Sequence, residues 1–410
     1  MKPSNLDGLH IRFFRSLDPS VVQGFVQAFC SRGPFCRPGL SMMQGSSVGQ
    51  TLPTSMAAIA QESITTTTWG SVNGQEIKKF TLRNKACQEV DVITYGAVVT
   101  AIRTPDREGN LTDVVLGFDN IEGYLSSNNP YFGATIGRVA NRIGKATFVV
   151  DGQRYNISKN NGENSLHGGT HGWSSKIWDA TIQNDCVVMT LDSPDGDEGY
   201  PGSVTAIASF QLTNDGELRI EMKAHSKKAT PINLTNHSYF NLAGHATNAS
   251  ELYKHVITMN ADHWTVTDSE SIPTGEIRSV ANSIMNLTNP TKFGDVIDKV
   301  PNGGYDNNFC LPKSFNDGKV NFVAKVVHPS SGRRLEVYSN QPGVQLYTTN
   351  SVPENGIVGK DGAKYLRHAA FCLETQNYPD AVNHKNFPNS VLRPGNTYNH
   401  VVLYKFGVEN

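Results

Sequence analysis

The sequence predicts an all-β protein, a large antiparallel sandwich or barrel forming one domain, and three observations lead there. Short runs of branched and aromatic residues alternate with polar ones, turn pairs separate those runs, and no stretch of about ten residues after residue 62 has helical periodicity. The first hairpin is read in ITTTTWGSVNGQEIKKFTL, where Asn73-Gly74 divides two strand-like segments. Asp151-Gly152 divides ATFVVDGQRYNI in the same way, Asp215-Gly216 divides ASFQLTNDGELRIEMKA, and Ser331-Gly332 lies between VNFVAKVV and RRLEVYS. Residues 281–285 and 292–297 have the composition of single helical turns. No fixed-period repeat is visible, which disfavours a propeller or solenoid.

The chain has 410 residues, of which 38% are hydrophobic, enough for a sizeable core. Lys and Arg number 36 against 37 Asp and Glu, a formal charge of -1, so neither nucleic acid nor an anionic membrane is an expected partner. No apolar run approaches the ~18 residues of a membrane span. The cysteines Cys30, Cys36, Cys87, Cys186, Cys310 and Cys372 are scattered without a CxxC pair, which points to a reducing compartment, and a cytoplasmic location is expected. Residues 1–61 differ from the rest: Ser, Gly and Pro cluster there without periodicity, and a low-order extension is expected before a domain over 62–410. Arg12, Arg15, Arg32 and Arg37 leave open an organelle presequence or a leader ahead of a start near Met56.

Histidines concentrate in NSLHGGTHGW and PINLTNHSYFNLAGH. His167 and His171 have the four-residue spacing of a zinc pair, but Gly168, Gly169 and Gly172 oppose the helix that would align them, so no metal is expected. His237 sits among Asn233, Asn236, Ser238, Tyr239 and Asn241, a mixture of hydroxyl partners and ring faces that suits a sugar pocket. A histidine with a reference pKa of about 6.5 can donate a proton at neutral pH. Glu374 ends an apolar run, Ala369 to Leu373, that reads as a buried strand; such a carboxylate is either ion-paired or held for proton transfer. Asn141, Arg142, Asp306 and Gln345 lie in turn-like contexts near glycine, each weak alone. Phosphate-cradling loops of the GxxxxGK type, GxGxxG openings and HExxH helices are absent from the sequence. A glycoside hydrolase remains open, because Asp195, Asp197, Glu198, Glu374 and Asp380 offer carboxylates whose pairing the sequence does not specify.

Seven segments in order, GRVANRIGKATF, NSLHGGTHGWSSKIW, DSPDGDEGYPG, NLTNHSYFNLAGH, YDNNF, PGVQLYTTN and CLETQNYPDAVNH, carry a resemblance to the aldose 1-epimerase, or galactose mutarotase, family. It covers roughly Thr68 to Val408. The resemblance implies a galactose-mutarotase-like supersandwich with an open sugar-binding cleft. It also implies interconversion of the α and β anomers of free hexoses such as galactose and glucose, without any cofactor. On the matching positions, His237 is the implied general acid and Glu374 the implied general base. Asn141, Arg142, His167, Asp306 and Gln345 are the implied sugar-binding residues, and Tyr239 and Phe240 are expected to border the ring. The partner implied is a small-molecule aldose, and a monomer or weak dimer is expected.

Mutarotation removes a proton from the anomeric hydroxyl and delivers one to the ring oxygen, so one acid and one base suffice. Reference pKa values of about 6.5 and 4.3 leave only a narrow window for protonated His237 beside ionised Glu374. Mutual attraction is expected to widen it and to give a bell-shaped rate profile. Two alternatives stand beside this reading. A hexose-6-phosphate epimerase needs an added cationic cluster, for which Arg333-Arg334 is the nearest candidate, and a noncatalytic sugar-binding module would keep the pocket without the chemistry.

Overall fold

In the computed structural model, residues 63–312 and 318–409 are described. The extension expected over 1–61, with Cys30 and Cys36, lies outside them. The paired strands form antiparallel ladders throughout the described residues. At the first hairpin Asn73 and Gly74 have φ of 51° and 79°, the doubly left-handed turn that matches strand twist. It joins Ile64–Val72 to Gln75–Arg83, and Glu89–Ile93, Val98–Pro105 and Leu111–Asp113 complete a five-stranded meander. The other expected hairpins form at Asp151-Gly152, Asp215-Gly216 and Ser331-Gly332.

A nine-stranded sheet runs in the order Asp179–Gln183, Cys186–Ser193, Val204–Leu212, Glu217–Ser226, Tyr398–Val408, Arg333–Ser339, Asn321–Val327, Val256–Met259 and Thr291–Lys292. Its alternation is strict in places: in Val204–Leu212 every second residue is buried. A six-stranded sheet packs against it, in the order Tyr239–Phe240, Phe371–Gln376, Gly343–Tyr347, Asp306–Cys310, His263–Thr267 and Pro273–Ser279. Phe240, Phe309, Val344, Leu346, Phe371 and Leu373 on one face of this sheet join Phe210, Ile220, Met222, Val402 and Tyr404 of the larger sheet in the main core. The period of two then puts Tyr239, Asp306, Asn308, Gln345, Cys372, Glu374 and Gln376 on the opposite face. That face is covered as well, since all six residues of Phe371–Gln376 are buried.

Among the described residues the α-helices are single turns: Ile121–Leu125, Asn248–Leu252 and Phe293–Val296, the last continued by a 3-10 turn at Ile297–Lys299. Residues 281–285 form turns without a helix. The strand bearing Glu374 differs from expectation. It begins at Phe371 rather than Ala369 and continues to Gln376, because Gly343–Tyr347 pairs with it from Cys372 to Gln376, so Glu374 lies inside the strand.

Candidate active site

Three neighbouring strands place one half of the site. Glu374 and Gln345 face each other in register, and Asn308 pairs with Gln345 on the next strand. Asp306, two residues before Asn308 on the same face, accepts a hydrogen bond from Gln345 Nε2 at 2.7 Å. Gln376, two residues after Glu374, is fully buried, and its Nε2 lies 3.4 Å from Gln345 Oε1 and 3.3 Å from Asn308 Oδ1.

Turns place the other half. His237 lies between the short strands Thr235–Asn236 and Tyr239–Phe240. Its backbone N–H donates to Ala134 and its carbonyl accepts from Gly133, both at 2.9 Å. Its imidazole stacks on the Tyr239 ring, with centroids 4.9 Å apart and planes 6° from parallel. Asn141 and His167 are left-handed at φ 63° and 52°, and each bonds the other: His167 N donates to Asn141 O, and Asn141 N donates to His167 Nδ1 at 3.1 Å. Asn141 Oδ1 accepts from the backbone N–H of Arg142, whose side chain donates from Nε to Asn161 Oδ1 at 3.3 Å and brings Nη2 to 3.7 Å from Asp306.

The halves meet at His237 Nε2 and Glu374 Oε2, 3.5 Å apart. Both side chains are nearly sealed, at 5% and 2% exposure, whereas Arg142 and Asp306 are 17% and 34% exposed. The pair therefore lies at the base of a site whose rim carries the guanidinium and the second carboxylate. Burial decides its charge. Desolvation lowers the His237 pKa to about 3 and raises that of Glu374 well above the carboxylate range, Asp306 adding to the rise and Arg142 opposing it. This corrects the expectation that attraction between charged partners widens the working window. In the sealed site the neutral forms are favoured, and the pair still holds one proton in total.

Ligand atoms of His167, His237 and Glu374 all lie within 4.8 Å of one another, the composition of a two-histidine, one-carboxylate metal set. His167 does not suit that role. Its Nδ1 accepts the Asn141 N–H and so carries no proton, which leaves the proton on Nε2. A metal there requires losing that bond or deprotonating the ring further. The arrangement instead presents an N–H donor to the site, and burial holds His167 neutral by lowering its pKa well below 6.5.

Of the residues expected at the site, Asn141, Arg142, His167, His237, Asp306, Gln345 and Glu374 come together. Tyr239 lies alongside His237 at 2% exposure and donates from its hydroxyl to Pro130 O. Phe240 is corrected: it is fully buried on the opposite face, packed against Phe371, Tyr404 and Phe406. His171 and the DGDEGYPG acids are structural, Glu198 accepting from the backbone N–H groups of Thr170 and His171. Three residues escaped the sequence reading. Asn308 and Gln376 are two positions from Asp306 and Glu374, so strand parity flags them. Tyr131, whose ring lies 4.7 Å from His167 and 6.2 Å from His237, has no such signal.

Known proteins agree with this architecture. A family profile described as Aldose 1-epimerase matches residues 78–405. A galactose mutarotase of Bos taurus is 46% identical over 332 residues, 81% of this chain and 94% of that protein. The galactose mutarotase of Homo sapiens is 44% identical over 84% of this chain and 99% of its own length. An aldose 1-epimerase of Escherichia coli K12 is 33% identical over 82% and 97%. Among solved structures, an aldose epimerase homologue from C. elegans superposes with a TM-score of 0.74 at 28% identity, covering 80% of this chain and 98% of that one. A galactose 1-epimerase from Lactobacillus acidophilus gives 0.72 at 26% identity, covering 85% and 99%.

Proposed function

Because the chain belongs to the aldose 1-epimerase family and is a carbohydrate epimerase, we propose that Glu374 and His237 interconvert the α and β anomers of free hexoses such as galactose and glucose. The observation that carries the assignment is the sealed pair at 3.5 Å, with Glu374 Oε2 and His237 Nδ1 lacking a hydrogen-bond partner among the described residues. Unpartnered buried polar atoms are costly, and substrate oxygens would satisfy them.

In this reading Glu374 takes the proton from the anomeric hydroxyl O1 while His237 delivers one to the ring oxygen O5. The C1–O5 bond breaks and a free aldehyde forms. Rotation about C1–C2 turns its other face, and the same transfers reversed close the other anomer. Sugar hydroxyls and the Arg142 guanidinium replace the solvation that burial removed, so the shared proton passes to His237 and leaves Glu374 ionised without any change in total protonation. Asn141, Asp306 and Gln345 hold hydroxyls, and the His167 Nε2–H and Arg142 oppose charge developing on oxygen.

A phosphosugar substrate needs a second strong cation. Arg333 is 2% exposed, and its guanidinium donates to the carbonyls of Thr104, Asn110 and Leu242, so its donors are already committed to the fold. The protein works in this reading as a cytoplasmic monomer or weak dimer; no helix of the described residues is long and apolar enough to cross a membrane. The test is polarimetry on freshly dissolved α-D-galactose, α-D-glucose and their 6-phosphates. Acceleration over the spontaneous rate with the free sugars and not the phosphates is expected. Acceleration confined to the phosphates, or sugar binding without turnover, would overturn the proposal.

A further inference from the structure

Tyr131 is left-handed at φ 66°, a conformation that a bulky residue keeps only where its surroundings impose it. They do so here through the segment that also holds the acid. Phe132 N donates to Asn129 Oδ1, and Ala134 N donates to Tyr131 O. Gly133 N donates to His237 O, His237 N donates to Ala134 O, and Asn236 Nδ2 donates to Gly133 O. Tyr239, whose ring stacks on His237, anchors its hydroxyl on Pro130 O. Tyr131 and His237 are thus parts of one bonded unit.

The product of that strain is the position of the Tyr131 ring. It lies 17° from parallel to the His237 imidazole at 6.2 Å and edge-on to His167 at 4.7 Å. A proton-transferring histidine usually has its ring plane set by a hydrogen bond at its second nitrogen. Among the described residues His237 Nδ1 has no hydrogen-bond partner on another residue, so ring packing sets the plane: Tyr239 stacks at 4.9 Å, His167 lies edge-on at 5.2 Å, and Tyr131 is the second near-parallel ring.

We infer that Tyr131 is a positioning residue that fixes the plane of the His237 imidazole for proton delivery to the sugar ring oxygen. The inference rests on the catalytic reading of His237 and Glu374 given above.

Two variants test it by polarimetric kinetics, with Glu374→Gln as a separate control. Tyr131→Phe keeps the ring, and Tyr131→Gly removes it while suiting the left-handed backbone, so the turn itself is spared. Tyr131→Phe is expected within about twofold of wild type, and Tyr131→Gly is expected to lose about tenfold or more in kcat with KM changed by less than about threefold. Should glycine loosen the turn by near-UV circular dichroism, Tyr131→Leu, which has bulk without a planar ring, is expected to show the same loss of kcat. Wild-type kcat in the ring-deleted variants, or a change confined to KM, would overturn the inference. If those variants behave as wild type while Glu374→Gln is inactive, only the positioning role fails. If Glu374→Gln turns over at the wild-type rate, the catalytic reading fails and this inference fails with it.

Discussion

Glu374, Gln345 and Asp306 stand on three adjacent strands whose spacing is set by ladder hydrogen bonds, whereas Tyr131, Asn141 and His167 stand on turns whose backbones are left-handed. On the sheet side, position follows from register and parity alone, and one extra residue would turn every side chain to the other face. On the turn side, each position is held against intrinsic preference by bonds from elsewhere, such as the reciprocal contacts of Asn141 and His167. The sheet therefore supplies a stiff base, and the turns supply donors whose aim depends on many small contacts.

The largest effect should come where the two sides meet. His237→Gln keeps a polar side chain of similar reach but no proton-transferring ring, and kcat should fall by about 10³, measured as the enzyme-dependent decay of optical rotation. A loss below about tenfold would mean that the turn side does no proton transfer. Next comes Arg142→Lys, which keeps the charge and loses the planar fork. KM for galactose should rise about tenfold with kcat less affected; unchanged KM would remove Arg142 from the binding rim. The smallest effect separates the sides by stability. Folding raises the Glu374 pKa, so the stability it contributes is present below its unfolded value and is lost as pH rises through the folded one. Glu374→Gln should therefore unfold later than wild type at alkaline pH, by about 1 kcal/mol in urea titrations, and the gap should shrink in mild acid. A variant less stable than wild type at pH 9 would contradict the desolvation argument.

The same division explains what could be read from the sequence. Alternation and turn pairs marked the hairpins, and the apolar run ahead of Glu374 marked a buried strand, because strand chemistry is local. Parity also held information the motifs obscured: Tyr239 and Phe240 are adjacent on one strand, so only one of them can face the site, and the core claims Phe240. Tyr131 and His167 were a different matter. Tyrosine gives no signal of a left-handed backbone and histidine only a weak one, and the bonds around these turns come from segments up to about a hundred positions away, as Tyr239 to Pro130 illustrates. The direction of the pKa shifts was hidden for a related reason, since burial of both partners depends on how the turns cover the sheet.

The central claim is that a buried carboxylate on the sheet and an imidazole on the turns share one proton and pass it through a sugar. The most direct test is the decay of optical rotation of α-D-galactose with wild type and with Glu374→Gln at equal concentration. The account predicts acceleration by the wild type and a rate with the variant at or near the spontaneous one. Wild-type acceleration by Glu374→Gln would contradict it.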